Sequence, residues 1–201
     1  MSEAEFYYTI EKTGTAEFKD RGSKFIAYAF PVETVEDFKQ RLEEIKKEHP
    51  KATHHCFAYR VGTDKNTFRA SDDGEPSGTA GKPILGQIDS NHLTNILIIV
   101  VRYFGGTQLG VPGLINAYKT SASLVLQVIP AVQKQVESLY LLQFDYTQMN
   151  EVMIIVKKFN CTVIQQELNL FCQLKIGIPK SRLDEAVYHF KEIRNLEIKA
   201  V

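Results

Sequence analysis

The stretch NILIIVVRYFGG, residues 95–106, decides how the rest of the chain is read. Six aliphatic residues run without interruption from Ile96 to Val101, then Arg102, two aromatics and two glycines follow. A continuous apolar run of this length predicts a strand buried on both faces at the centre of a sheet. It is far too short to cross a membrane. The glycine pair ends the strand and turns the chain toward VPGLINAYKTSASLVLQVI, which predicts a long helix opened by Pro112 and stopped by Pro130.

Upstream of that strand, GKPILGQIDS reads as a short helix with Pro83 in its first turn, and HHCFAYRVG (54–62) as a strand. Before them, Thr34 is an expected N-cap, with Asp37 placed to complete a capping box ahead of Val35, Phe38, Leu42 and Ile45 at helical spacing. FYYTI, TAEF and KFIAYAF are strand-like pieces punctuated by Gly22 and Pro31. Downstream of Pro130 the order becomes strand (VESLYLLQFDY), helix capped by Thr147, strands CTVIQQEL and FCQLKIGI with a turn near Asn169, helix capped by Ser181, and strand LEIKAV. That β-α-β-β-α-β order is of the ferredoxin-like type. The expected class is α+β in two domains, residues 1–131 and 135–201.

The 201 residues carry 24 basic and 24 acidic side chains, which excludes a uniformly basic nucleic-acid coat but leaves room for a local patch. Three cysteines, with no CxxC, point to buried thiols rather than a disulfide framework or zinc site. The opening MSEAEFYYTI has no basic region followed by an apolar core, so no signal peptide is expected and the chain reads as cytosolic.

Chemistry is concentrated in SDDGEPSGTAGKP (71–83) and RYFGGTQLGVPG (102–113). Neither is a nucleotide motif. Pro76 stands where a Walker loop needs glycine and Pro83 where it needs Ser or Thr, while Thr107 breaks the dinucleotide fingerprint. GTAG and GVPG match GXXG without the surroundings of a KH domain. Both stretches do lead into helices, whose free first-turn N–H groups favour an anion, with Lys82 and Arg102 alongside. The competing reading is that the glycines only make turns and let helix pack on strand. Asp72, Asp73 and Glu75 could hold a hard cation, although capping and turn formation account for them better and no metal is expected. His54 and His55 face opposite sides of a strand and cannot easily share an ion, while His54 and Cys56 share a face. Tyr103–Phe104 could stack on a base, or fill a core.

SDDGEPSGTAGKPIL with VVRYFGGTQLGVPGLINAY, and ATHHCFAYR upstream, resemble the Impact family in its bacterial, YigZ-type form, over about residues 15–130. The resemblance implies a ribosomal protein S5 domain-2-like α/β sandwich followed by a ferredoxin-like domain. That pair is similar to the last two domains of translocating elongation factors, which contact the ribosome. Eukaryotic members are associated with translational control in amino-acid starvation through an extra RWD domain, which this chain is expected to lack. No demonstrated catalytic residue transfers, and no cofactor is implied. The expected function is therefore a translation-associated regulator binding RNA or the ribosome through an anion-binding surface. Its expected residues are Asp72, Asp73, Gly74, Glu75, Gly78, Thr79, Gly81, Lys82, Arg102, Tyr103, Gly105 and Gly106, with Lys24, His54 and Arg60 at the rim. The alternatives are an enzyme acting on a small anionic or peptidic substrate, with Asp72, Asp73 or His54 as acid or base, and a protein-interaction module.

Overall fold

The computed structural model describes residues 5–201; residues 1–4, the start of the segment read as lacking a targeting signal, lie outside the described residues. Two compact units are present, residues 7–134 and residues 135–201, with Phe6 grouped with the second.

The first unit runs β1 (Phe6–Ile10), β2 (Gly14–Asp20), β3 (Ser23–Pro31), α1 (Val35–Glu48), β4 (His54–Val61), β5 (Thr67–Ser71), α2 (Gly81–Ser90), β6 (Ile96–Tyr103), α3 (Gly110–Gln127) and β7 (Ala131–Gln135). Five strands form an antiparallel sheet in the order β2-β3-β6-β4-β5, and β1 pairs with β7. The apolar run is the central strand, β6, and all six residues from Ile96 to Val101 are fully buried. Their strand alternation divides them between two cores. Ile96, Ile98 and Val100 pack with Ile84 and Ile88 of α2 and Leu114, Tyr118 and Val125 of α3. Leu97, Ile99 and Val101 pack with Phe38 and Ile45 of α1. Helices cover both faces, and that is why an antiparallel strand has no polar face. Each such side chain contributes about 1.5–3 kcal/mol relative to exposure.

The capping box at α1 forms as expected: Asp37 N donates to Thr34 Oγ1 (3.1 Å) and Thr34 N to Asp37 Oδ2 (2.9 Å). Edge strand β5 has no sequence counterpart among the expected strands. Four of its five residues are exposed, so it carries no alternation, and its ladder with β4 alone defines it.

The second unit runs β8 (Glu137–Asp145), α4 (Met149–Lys158), β9 (Thr162–Glu167), β10 (Phe171–Pro179), α5 (Leu183–Lys191) and β11 (Glu197–Ala200). Its antiparallel sheet has the order β11-β8-β10-β9, the ferredoxin-like arrangement, with Leu142, Phe144, Leu174 and Ile176 facing Val152, Val156, Ala186 and Phe190 of the two helices. The caps differ from expectation. Asp145, not Thr147, supplies the capping box ahead of α4, and it opens a short 3₁₀ turn, Tyr146–Gln148. Ser181 lies inside a second 3₁₀ turn, Lys180–Arg182, and caps nothing. Among the described residues no helix is long and apolar enough to cross a membrane.

Candidate functional site

The loop between β5 and α2 is organised around the Asp72 carboxylate. It accepts from the backbone N–H of Gly78 (2.8 Å), Ala80 (2.9 Å) and Gly81 (2.9 Å). The first-turn amides that the sequence offered to an external anion are thus occupied by an internal one. Burial alone would push the Asp72 carboxyl up; the three donated N–H bonds outweigh it and hold the group below the usual carboxylate range. Asp73, at φ +42°, ties the loop to β4: its carboxylate accepts from His55 N (2.6 Å) and its carbonyl oxygen meets His54 Nδ1 (2.7 Å). Thr79 is buried and donates its hydroxyl to Pro76 O (2.7 Å).

Glu75, 8% exposed, points inward from the same loop. Its Oε1 accepts from Arg102 Nη1 (2.6 Å) and from the Tyr118 hydroxyl (2.8 Å), with His54 Nε2 at 3.7 Å. The Cys56 thiol donates to Asp72 O (2.9 Å) and lies 3.3 Å from the Tyr118 oxygen. Burial, then the nearby carboxylates, push the Cys56 thiol up; burial, Cys56 and Glu75 do the same to the Tyr118 phenol, so both stay protonated. Arg102 is 5% exposed and also donates to Ser23 Oγ (3.3 Å). Its guanidinium lies over the rings of Phe25 (5.4 Å) and Phe104 (5.5 Å). Its Nε is buried and has no hydrogen-bond partner.

Arg102 and Glu75 line a cleft of about 330 Å³ with Phe104, Gln108, Leu109 and Val111. The start of α3 opens into it. No side chain caps that helix, and Leu109 is right-handed (φ −82°, ψ −23°) while Gly110 is left-handed (φ +71°). Successive residues of opposite hand turn their N–H groups to one side, a concavity suited to an anion. A larger recess of about 380 Å³ sits at the other end of β3 and β6, but Glu11 and Glu33 line it and its Lys134 already pairs with Glu11. It is the poorer place for an anion.

Several expected residues fall elsewhere. Asp72, Gly78, Thr79 and Gly81 are committed to bonds within the loop, Asp73 to bonds with His54 and His55 of β4, and Gly74 (φ +88°) makes its turn above His54. Neither Asp72 nor Asp73 is placed as a free acid or base. Lys82 is exposed beside a helix start that is already filled. Tyr103 belongs to the opposite face of the sheet from Arg102, where its hydroxyl meets His49 Nδ1 (2.8 Å). Lys24 pairs across the ladder with Tyr103, shares that face, and bonds Glu17 (2.8 Å). Arg60 is six strand residues from His54, held by Asp89 (2.7 Å) at the far end of β4. Gly105 is needed for packing: a Cβ there would stand 1.9 Å from the Gly22 carbonyl carbon, whereas Gly106 (φ +86°) faces open space.

The sequence reading missed Ser23, which accepts from both Arg102 and Gly105 N (3.2 Å), and Arg21, whose Nη2 approaches α3 to 3.3 Å from where a Gly113 Cβ would be. Arg21 carries one signal, the tight Arg21–Gly22 turn at positive φ, but nothing local ties it to a helix start 89 positions later.

Residues 21–126, the segment holding both loops and the cleft, match the model of the Impact N-terminal domain. The chain is 36% identical over 180 residues to an IMPACT family member of Haemophilus influenzae, covering 88% of this chain and 87% of that protein. It is 34% identical to IMPACT family member YigZ of Escherichia coli, over 81% of each chain. A crystal structure described as that of a hypothetical protein aligns over 98% of both chains at 30% identity, with a TM-score of 0.75. A family model spanning more than half of the residues, and relatives of this identity across most of the length, establish that the chain belongs to the IMPACT family.

Proposed function

We propose that this protein acts in translation by binding RNA, on or off the ribosome, and that it holds a backbone phosphate in the Arg102 cleft. One observation carries the reading: the start of α3, which no side chain caps, opens onto a cleft lined by Arg102. Donors without partners in a partly closed site favour a ligand rich in acceptors. Arg102 and Glu75 cancel each other's formal charge, so the positive end of α3 sets the sign of the cleft. Arg21, exposed near the first turn of α3, supplies a second phosphate contact. The neutral whole-chain charge fits a protein that binds through one or two phosphates rather than along a basic face.

The test is binding to purified ribosomal subunits and to free ribosomal RNA at 50 and 200 mM salt. Two single-strand phosphate contacts predict a roughly seven-fold loss of affinity across that range. Arg21→Ala lowers affinity and reduces the salt slope by about one contact. Gln108→Glu places a carboxylate beside the α3 amides, so it weakens binding while leaving the fold intact or slightly stabilised. Lys82→Ala changes nothing, because the α2 start is already filled. Binding that is indifferent to Gln108→Glu yet abolished by Lys82→Ala would return the site to α2 and end this reading.

A further inference from the structure

Two exposed apolar side chains border the same cleft, and the phosphate reading leaves them unexplained. Phe104 is 49% exposed and Val111 52% exposed. Phe104 is not a loose surface ring. Its backbone N–H is held by Thr53 Oγ1 (3.2 Å), and the Arg102 guanidinium lies against the ring (5.5 Å). The next two residues are glycines, so no side chain follows the ring to shield it, and a Cβ on Gly106 would meet nothing within 4 Å. Val111 is the second residue of α3, immediately beyond the left-handed Gly110 whose neighbours' amides form the anion concavity. An oriented aromatic face, an aliphatic partner and an anion seat therefore share about 330 Å³.

We infer that the cleft accepts one unpaired nucleotide of single-stranded RNA, its base against Phe104 and its phosphodiester on the amides at the start of α3. This inference rests on the phosphate reading above and adds to it the state of the strand. The volume is at the lower end of ligand pockets and holds a single nucleotide, not a duplex. A base inside a duplex has both faces stacked and cannot present one to Phe104; a base in a loop or single strand can. The face chosen for stacking is sequence-tolerant, because every base offers a π surface.

The probe is a fluorescein-labelled single strand of about twelve nucleotides without a 5′-phosphate, within the usual site sizes of single-strand binders. It is compared with the same strand annealed to its complement, both at 50 mM salt with the full chain. The single strand is expected to bind and the duplex to bind at least ten-fold more weakly. Phe104→Leu, which keeps an apolar side chain and removes the ring, is expected to weaken single-strand binding roughly five- to a hundred-fold, and Phe104→Tyr to restore it. Circular dichroism confirms that both variants fold. If Gln108→Glu weakens the single strand but Phe104→Leu does not, the anion seat stands and the base stack is wrong. Equal affinity for duplex and single strand also overturns the inference, while sparing the phosphate reading. If no RNA of either form binds, both fall.

Discussion

Removing the Asp72 carboxylate tests the part of the loop that the sequence left most ambiguous. In Asp72→Ala, three backbone donors lose their acceptor. Gly78 is half-buried and can turn to water; Ala80 and Gly81 are buried and cannot. An unsatisfied buried donor costs about 1–3 kcal/mol. The helix dipole adds about 0.3–1 kcal/mol, since α2 has no acidic residue in its own first turn. The expected loss is about 3 kcal/mol, which for a chain of this size lowers the thermal midpoint by roughly 6–12 °C. Asp72→Asn keeps a neutral acceptor and should lose about 1 kcal/mol. The sign of the pH dependence follows from the depressed folded-state pKa of Asp72. Its stabilisation is fully present above the unfolded-state value, near 4, and disappears as pH falls through the lower folded value. Urea unfolding of parent and variant at pH 7 and again near pH 2–3 should therefore show a gap that narrows on acidification. A loss under about 1 kcal/mol at pH 7, or a gap that stays constant with pH, would mean that the amides have other partners and that the capping argument is wrong.

Two further outcomes follow from packing and charge. Gly105→Ala and Gly81→Ala drive a Cβ to 1.9 Å from the Gly22 backbone and 2.5 Å from Ser71 N, so each should cost more than about 3 kcal/mol in urea titrations. Gly106→Ala, in open space, bears only the left-handed strain of about 1–2 kcal/mol. Glu75→Ala strands Arg102 without its carboxylate and should destabilise by about 3–5 kcal/mol, whereas Glu75→Leu combined with Arg102→Met should cost less than the two single changes together; additive losses would show that the pair is uncoupled.

Much of the architecture was legible along the chain because the signals that encode it are short-range. An uninterrupted run of six aliphatic residues, five of them β-branched and soon followed by two glycines, points to a strand covered on both sides, and β6 is that strand. Thr34 and Asp37 are three residues apart, so the capping box needed nothing distant. The order of strands and helices after Pro130 was enough to mark a ferredoxin-like unit. Strand alternation also separates Arg102 from Tyr103, and applying it would have removed Tyr103 from a surface shared with Arg102, whereas Lys24 joins the Tyr103 face only through the register of β3 on β6.

What composition and spacing could not decide was which helix start is filled and which is open. Both are glycine-lined and both have a basic residue near them. Asp72 reaches back over six to nine residues to close the first, a choice made by the path of the 72–81 loop and not by residue type. The second stays open because Leu109 and Gln108 place no acceptor on its amides. Its cleft is assembled by the antiparallel register of β3 on β6, which sets Ser23 against Arg102 across 79 positions, and by the loop that carries Glu75 to Arg102 across 27. Propensity and periodicity act over a few residues, whereas a site built on cross-strand register exists only after the sheet has closed.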